Sequence, residues 1–313
     1  MIGTFLLTAW WALSPAQTPA PAARTTVAAP AVRREAVILS AVENMYSGPD
    51  PAKDVVSQAL LGQVVVILDE KDGFARIETP DHYPGWIPLA ALFPYASQAP
   101  ARYARRGTVA EVTALMANLY REPSVTSARP KAQAPLGTRL EVIDGAVLPE
   151  AAAKRWIGVR LPSGEGAYVQ RGDVRIGDAA AARAPGTGGD LVATARRFLG
   201  VPYLWGGMSF HGVDCSGLVS RVYAANGIEL LRDADIQFTD PRARAVARDA
   251  LQPGDLLFFG DKRITHVGMY VADGRFISAT TYQTPAVRED SLDDPYWAAL
   301  YRGARRMPAA MSH

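Results

Sequence analysis

Cys215 is the residue in this chain best placed for covalent chemistry. It stands in Asp214-Cys215-Ser216-Gly217, directly before Leu218, Val219 and Val222 at helical spacing. Asp214 therefore reads as an N-cap and Cys215 as a first-turn residue. Unpaired amides and the positive end of the helix dipole stabilise a thiolate there, the form that attacks a carbonyl carbon. The plainer alternative is a small buried hydrophobe. A thiol nucleophile wants an imidazole base, and the chain has four histidines. His313 ends the chain, His82 lies in a turn region, and His211 sits in the loop Phe210-His211-Gly212. His266 opens His266-Val267-Gly268-Met269-Tyr270-Val271, whose alternation sets His266, Gly268 and Tyr270 on one face and Val267, Met269 and Val271 on the other. The second face is core. The first reads as open, with Gly268 leaving room for a close approach.

The turn Ala272-Asp273-Gly274 decides what lies beside the imidazole. A two-residue Asp-Gly loop pairs Ala272 with Arg275 and puts Ser278 on the face opposite His266. A three-residue loop with a bulge pairs Gly268 with Ser278 and His266 with Thr280, so that Ser278 shares the His266 face. There its hydroxyl can accept the Nδ1–H hydrogen bond and fix the tautomer of a general base.

The elements that must position these groups fall into three segments. Residues 36–98 carry β-rich runs (37–42, 63–68, 74–79, 85–89) separated by Gly, Pro and Asp turn clusters, with no helical spacing. Residues 105–178 repeat the pattern. Asn44-Met45-Tyr46 recurs as Asn118-Leu119-Tyr120, Leu61-Gly62 as Leu136-Gly137, and Gly85-Trp86-Ile87 loosely as Ala167-Tyr168-Val169. Two tandem units of about five short strands each suggest two small all-β barrels. An Ala, Gly and Pro linker, 179–189, leads to residues 190–308. There a stripe of Leu191, Ala195, Phe198 and Leu199 ends at Gly200, a second helix follows from Asp214, and strands come at 255–259, 266–271, 275–280 and 300–305. Helices first and antiparallel strands after describe an α+β domain.

Composition bounds the rest. With 33 basic residues against 31 acidic ones, a net charge of +2 and no run of five like charges, a nucleic-acid partner is not expected. One cysteine excludes an internal disulfide and a Cys-cluster zinc site, and four histidines argue against a His-rich metal site. Residues 1–13 are an apolar run too short to span a bilayer, followed by Ser14-Pro15-Ala16, so 1–16 reads as an export signal and 17–35, rich in Pro, Ala and Thr, as a linker. No later run is long enough to span a membrane.

Four motifs in order carry a resemblance: Gly200-Val201-Pro202-Tyr203-Leu204-Trp205-Gly206-Gly207, Asp214 to Val219, Pro253-Gly254-Asp255-Leu256, and His266 to Tyr270. Together they resemble the NlpC-type cell-wall cysteine peptidases, and the two units ahead of them look like bacterial SH3-like barrels. The resemblance implies two SH3-like barrels followed by a papain-like α+β peptidase domain. It also implies a hydrolase of the γ-D-glutamyl to diamino-acid bond of peptidoglycan stem peptides that needs no metal or other cofactor. Cys215 is then the nucleophile, His266 the general base, Tyr203 an oxyanion ligand, and Ser278 holds the position where the family usually has His, Asn or Gln.

The pairing with two barrels further resembles enzymes that require a free N-terminal L-Ala. In those, Asp214 and Ser216 contact the amino end of the substrate and Tyr83 lines the same end; Trp205, in the motif beside it, is a further substrate-binding candidate. Glu43, Asp50 and Asp54 are candidates for an acidic barrel residue there. The implied location is periplasmic or extracellular. The alternative is a feeble or inactive wall-binding protein in which Ser278 marks decay of the triad.

Overall fold

The computed structural model describes residues 34–94, 102–127, 129–145, 148–181 and 183–308. The expected export signal, most of the expected linker to residue 35, and His313 lie outside them. The first strand, Arg34–Ile38, begins within that linker, because Arg34 and Glu35 already pair with Ile67 and Val66.

Residues 34–94 build a seven-stranded antiparallel sheet. Its order is Val55–Leu60, Val42–Tyr46, Pro84–Pro88, Phe74–Glu78, Val64–Lys71, Arg34–Ile38, Leu92–Pro94. The next unit repeats that order strand for strand: Ala132–Pro135, Met116–Tyr120, Gly166–Gln170, Trp156–Arg160, Arg139–Val142, Thr108–Val112, Val174–Asp178. The repeat seen in the sequence therefore marks equivalent positions. Met45 and Leu119 are both fully buried, and Gln58 and Gln133 donate to Asn44 and Asn118 at the same 3.0 Å. Leu61-Gly62 and Leu136-Gly137 both turn through a left-handed glycine, with φ of 77° and 82°. Each sheet encloses its own apolar core, built on Ala36, Ile38, Met45 and Ile87 in the first and on Ala110, Leu119, Leu140 and Val169 in the second.

Residues 183–308 form a six-stranded antiparallel sheet in the order Arg244–Val246, Tyr301–Arg306, Leu256–Phe259, His266–Ala272, Arg275–Thr280, Ala286–Ser291. The helices Gly188–Arg196 and Cys215–Ala225 cover one face, where Leu191, Leu218 and Val222 meet Val267, Met269 and Ile277. Each such fully buried side chain contributes about 1.5–3 kcal/mol. The first helix opens on a capping box, Thr187 with Asp190, and ends ahead of left-handed Gly200. The face read as open in the sequence is covered instead. Phe259, Phe276 and Trp297 pack on it, and a Cβ at Gly268 would lie 2.6 Å from the Phe276 ring, so the room at Gly268 is filled by that ring. The short helix Pro295–Leu300, which carries Trp297, has no long apolar stripe to announce it.

Neither turn considered for the hairpin occurs unmodified. Asp273 and Gly274 are both left-handed and pair Ala272 with Arg275, a two-residue loop, but a bulge between Tyr270 and Ala272 restores Met269 opposite Ile277. Continued one step, that register sets Ser278 level with Gly268, on the parity of His266.

Candidate active site

Asp214 caps the helix as its sequence implied. Its backbone is extended, and Oδ1 accepts the Gly217 amide at 2.6 Å. The segment before it can run this close only because of glycine: a Cβ on Gly217 would sit 2.1 Å from the Gly207 carbonyl oxygen. The same carboxylate accepts the Gly206 amide at 2.9 Å and the Ser216 hydroxyl at 3.2 Å. Arg232, 1% exposed, completes the set with bonds of 3.1 Å to Oδ1 and 2.6 Å to Oδ2. Five donors thus saturate Asp214, and its charge is compensated within the protein.

Cys215, 8% exposed, lines a cavity of about 470 Å³ together with Tyr203, Trp205, Asp214 and Ser216. The first sheet supplies Val56 and Tyr83 to the wall, and Asp233 and Asp235 supply further carboxylates. Glu43, Asp50 and Asp54 do not line the cavity. Glu43 accepts from Ser40, and Asp50 accepts the Ala52 amide within its own turn. Trp205 stands at the rim, 70% exposed.

The first sheet is bolted to this end of the cavity by three polar contacts. Arg232 Nε donates to Ser57 Oγ at 2.9 Å, Gln58 Oε1 accepts the Met208 amide at 2.9 Å, and Tyr83 donates to Asp233 Oδ2 at 3.0 Å. Asp233 holds the N-cap position of the helix Ala234–Thr239 yet makes no cap bond, because its carboxylate is turned to Tyr83.

Burial pushes the Cys215 thiol up to about 12, and the Asp214 charge adds to this. The nearby Val267 and Ser216 amide dipoles, with the Arg232 charge, only partly offset the rise. The helix-start placement therefore does not by itself ionise the thiol. Burial also holds the His266 imidazole down at about 4, so thiol and imidazole are both neutral near pH 7. Among the described residues no hydrogen bond links Cys215 Sγ to the His266 ring; His266 Nε2 is buried without a partner. The ring stacks on Trp297 at 4.9 Å and 29°. His266 Nε2 and Ser278 Oγ are both buried without a hydrogen-bond partner. Burial, with the charges of Cys215 and Asp214, raises Tyr203 to about 12, so its phenol stays a proton donor. Tyr83 rises to about 12 through burial and through Asp233.

Three residues of this site were not picked out from the sequence. Arg232 and Asp233 form a lone charged pair after Leu230-Leu231, a helix-start signal at most, and Trp297 lies three residues after Asp294 in a segment with no motif. Their roles arise from contacts across 18 to 175 positions of chain, which no local pattern encodes.

A cysteine at a helix start, in a cavity beside a sheet strand that opens on histidine, is the arrangement of a thiol nucleophile near a candidate base. Comparison with known proteins agrees. The model of the NlpC/P60 family matches residues 200–306, and that of the bacterial dipeptidyl-peptidase Sh3 domain matches residues 45–92. The chain is 31% identical over 270 residues to the gamma-D-glutamyl-L-lysine dipeptidyl-peptidase of Bacillus cereus, covering 82% of this chain and 76% of that protein. It is 26% identical over 275 residues to dipeptidyl-peptidase 6 of Lysinibacillus sphaericus, covering 85% and 94%. The crystal structure of an NlpC/P60 family protein from Bacillus cereus superposes with a TM-score of 0.76 at 26% identity, covering 87% of this chain and 99% of that one. The chain belongs to the NlpC/P60 family and is a cysteine peptidase with an attached bacterial SH3 domain.

Proposed function

We propose that this protein is an exported peptidase of peptidoglycan stem peptides that cuts the γ-D-glutamyl to L-diamino-acid bond of fragments with a free L-Ala amine. The single observation that carries the reading is the Tyr83–Asp233 bridge, which closes one end of the Cys215 cavity with a carboxylate that has no arginine bonded to it. An ammonium group is the natural partner for such a carboxylate. The substrate reads L-Ala, γ-D-Glu, diamino acid from the amine onward, so an amine held at Asp233 sets the γ-carbonyl of D-Glu at the thiol. The names of the Bacillus cereus and Lysinibacillus relatives support a dipeptide-releasing activity.

In this mechanism His266, neutral at rest, takes the Cys215 proton as the sulfur attacks the γ-carbonyl. Tyr203 donates to the developing oxyanion, where one well-placed donor is worth on the order of 3 kcal/mol. The imidazolium protonates the leaving amine of the diamino acid, and water then hydrolyses the thioester. Trp297 holds the plane of the imidazole, and Ser278, on the same face, makes no bond to the ring and leaves that role to Trp297. Asp214 and Ser216 fix the helix start and the Arg232 side chain beneath the amine end. Trp205 covers the rim against the peptide.

The second seven-stranded unit is read as a further SH3-like barrel and residues 190–308 as a papain-like domain. The chain acts outside the cytoplasm, in the periplasm or the extracellular space, after removal of 1–16. Digestion of L-Ala-γ-D-Glu-diamino acid tripeptide, with products weighed by mass spectrometry, tests the reading. Release of the free diamino acid and the L-Ala-γ-D-Glu dipeptide supports it, and cleavage at the L-Ala bond defeats it.

A further inference from the structure

Away from the thiol, the helix Cys215–Ala225 carries a charge with no ion-pair partner. Arg221 is 8% exposed and lies on the side of the helix that meets the second seven-stranded unit. Its Nη2 donates to the Leu136 carbonyl, and no carboxylate among the described residues is within ion-pairing distance of it. A Cβ on left-handed Gly137 would come within 2.9 Å of that nitrogen, so the turn at 137 accepts the guanidinium because it is glycine. Arg139, next but one, donates to the Ala179 carbonyl at 2.7 Å and likewise has no acidic partner. Both arginines line two adjoining cavities of about 570 and 240 Å³, which share Gly137, Arg139, Arg221 and Glu229.

The acids of the larger cavity do not meet this demand. Glu111 is held between Arg175 at 2.7 Å and Arg183 at 2.8 Å, Asp178 accepts the Ala180 amide at 2.7 Å, and Glu229 is exposed and paired with neither arginine. Burial pulls Arg221 down to about 10, and the Coulomb pull of Asp81 offsets only part of this. An uncompensated charge removed from water is among the costlier arrangements in a folded protein. A guanidinium fork with free donors matches an oxyanion in shape as well as charge.

We infer that this crevice, where the helix bearing Cys215 meets the second sheet unit, binds a compact multivalent oxyanion, a phosphate or a short polycarboxylate, between Arg221 and Arg139. The bound anion supplies the charge that Arg221 lacks and fastens the second unit to that helix. The site is separate from the peptide cavity, with which the two cavities share no lining residue.

The experiment is thermal unfolding of the full chain titrated with inorganic phosphate and, in a second series, with citrate, at ionic strength held constant by sodium chloride. The melting temperature is expected to rise saturably with at least one of them, as for any ligand of the native state. Saturation by phosphate alone assigns a phosphate ligand, and saturation by citrate assigns a carboxylate one. Arg139→Gln, at a partly exposed position, is expected to weaken the apparent affinity at least about tenfold. Arg221→Met is expected to abolish the rise while unfolding cooperatively without anion. A rise no larger than sodium chloride gives at equal ionic strength overturns the inference, as does wild-type affinity in Arg139→Gln.

Discussion

Asp214 and Arg232 face each other as a buried bidentate pair, with bonds of 2.6 and 3.1 Å, at the start of the helix that carries Cys215. Because Arg232 also reaches Ser57 Oγ, the pair ties the cap of that helix to the first sheet unit. The alignment of the cysteine thus depends on a contact between two parts of the chain 175 residues apart.

Removing one partner of this pair leaves the other charged and buried. Arg232→Met is expected to lower unfolding free energy by about 3–5 kcal/mol, measured by urea denaturation. Asp214→Asn combined with Arg232→Met should recover part of that loss. A loss below about 1 kcal/mol in the single variant, the scale of an exposed pair, contradicts a buried, mutually dependent one.

The amine end offers a second test. Tyr83→Phe removes a hydrogen bond to a carboxylate, worth about 1.5–3 kcal/mol, and should raise KM for a free-amine tripeptide by roughly 10- to 100-fold with little change in kcat. Asp233→Asn should do at least as much and should erase the preference over the N-acetylated tripeptide. Equal rates of the wild type on free and acetylated substrates would remove Asp233 from recognition.

The pH dependence follows from two burial effects of opposite sign. His266 sits at about 4 in the fold against 6.5 when unfolded, so the fold holds fewer protons in that interval. Its contribution to stability is therefore present above pH 6.5 and is lost as pH falls through 4. The acidic limb of kcat/KM should lie well below 6.5. Cys215, raised to about 12, should react slowly with iodoacetamide at pH 7 and faster as pH rises past 9. An acidic limb at 6.5 with fast neutral-pH alkylation would indicate a resting thiolate–imidazolium pair.

Trp297 is the neighbour that stacks on the imidazole, while Ser278 Oγ makes no hydrogen bond. Trp297→Leu should therefore lower kcat by about 10-fold or more and move the acidic limb upward toward 6.5 as the ring gains water. Ser278→Ala, which deletes an unpaired buried hydroxyl, should leave stability unchanged or slightly raised. If Ser278→Ala costs more activity than Trp297→Leu, the roles of the two are reversed.

Much of this was legible in local pattern. The Asp214 cap, the alternation after His266 and the doubled motif around Asn44 and Asn118 are each set within a few residues, and each fell where short-range chemistry puts it. The bulge at the 272–275 hairpin was not legible, since two left-handed residues at Asp273-Gly274 fix the loop while packing of Met269 and Ile277 fixes the register, and the chain satisfies both with one extra residue. Nor was the neutral thiol. A helix start favours the thiolate, but the cover of the cavity and the adjacent Asp214 charge outweigh it, and both depend on tertiary structure.

In the proposed reaction the Cys215 sulfur forms a covalent bond to the γ-carbonyl carbon of D-Glu. Acid quenching during turnover of L-Ala-γ-D-Glu-diamino acid, followed by mass measurement of the intact chain and of its peptides, tests this directly. The expected species is heavier by one L-Ala-γ-D-Glu acyl group, mapped to the peptide containing Cys215 and absent in Cys215→Ala, which also releases no diamino acid. Turnover in Cys215→Ala, or an acyl group mapped to another residue, would contradict it.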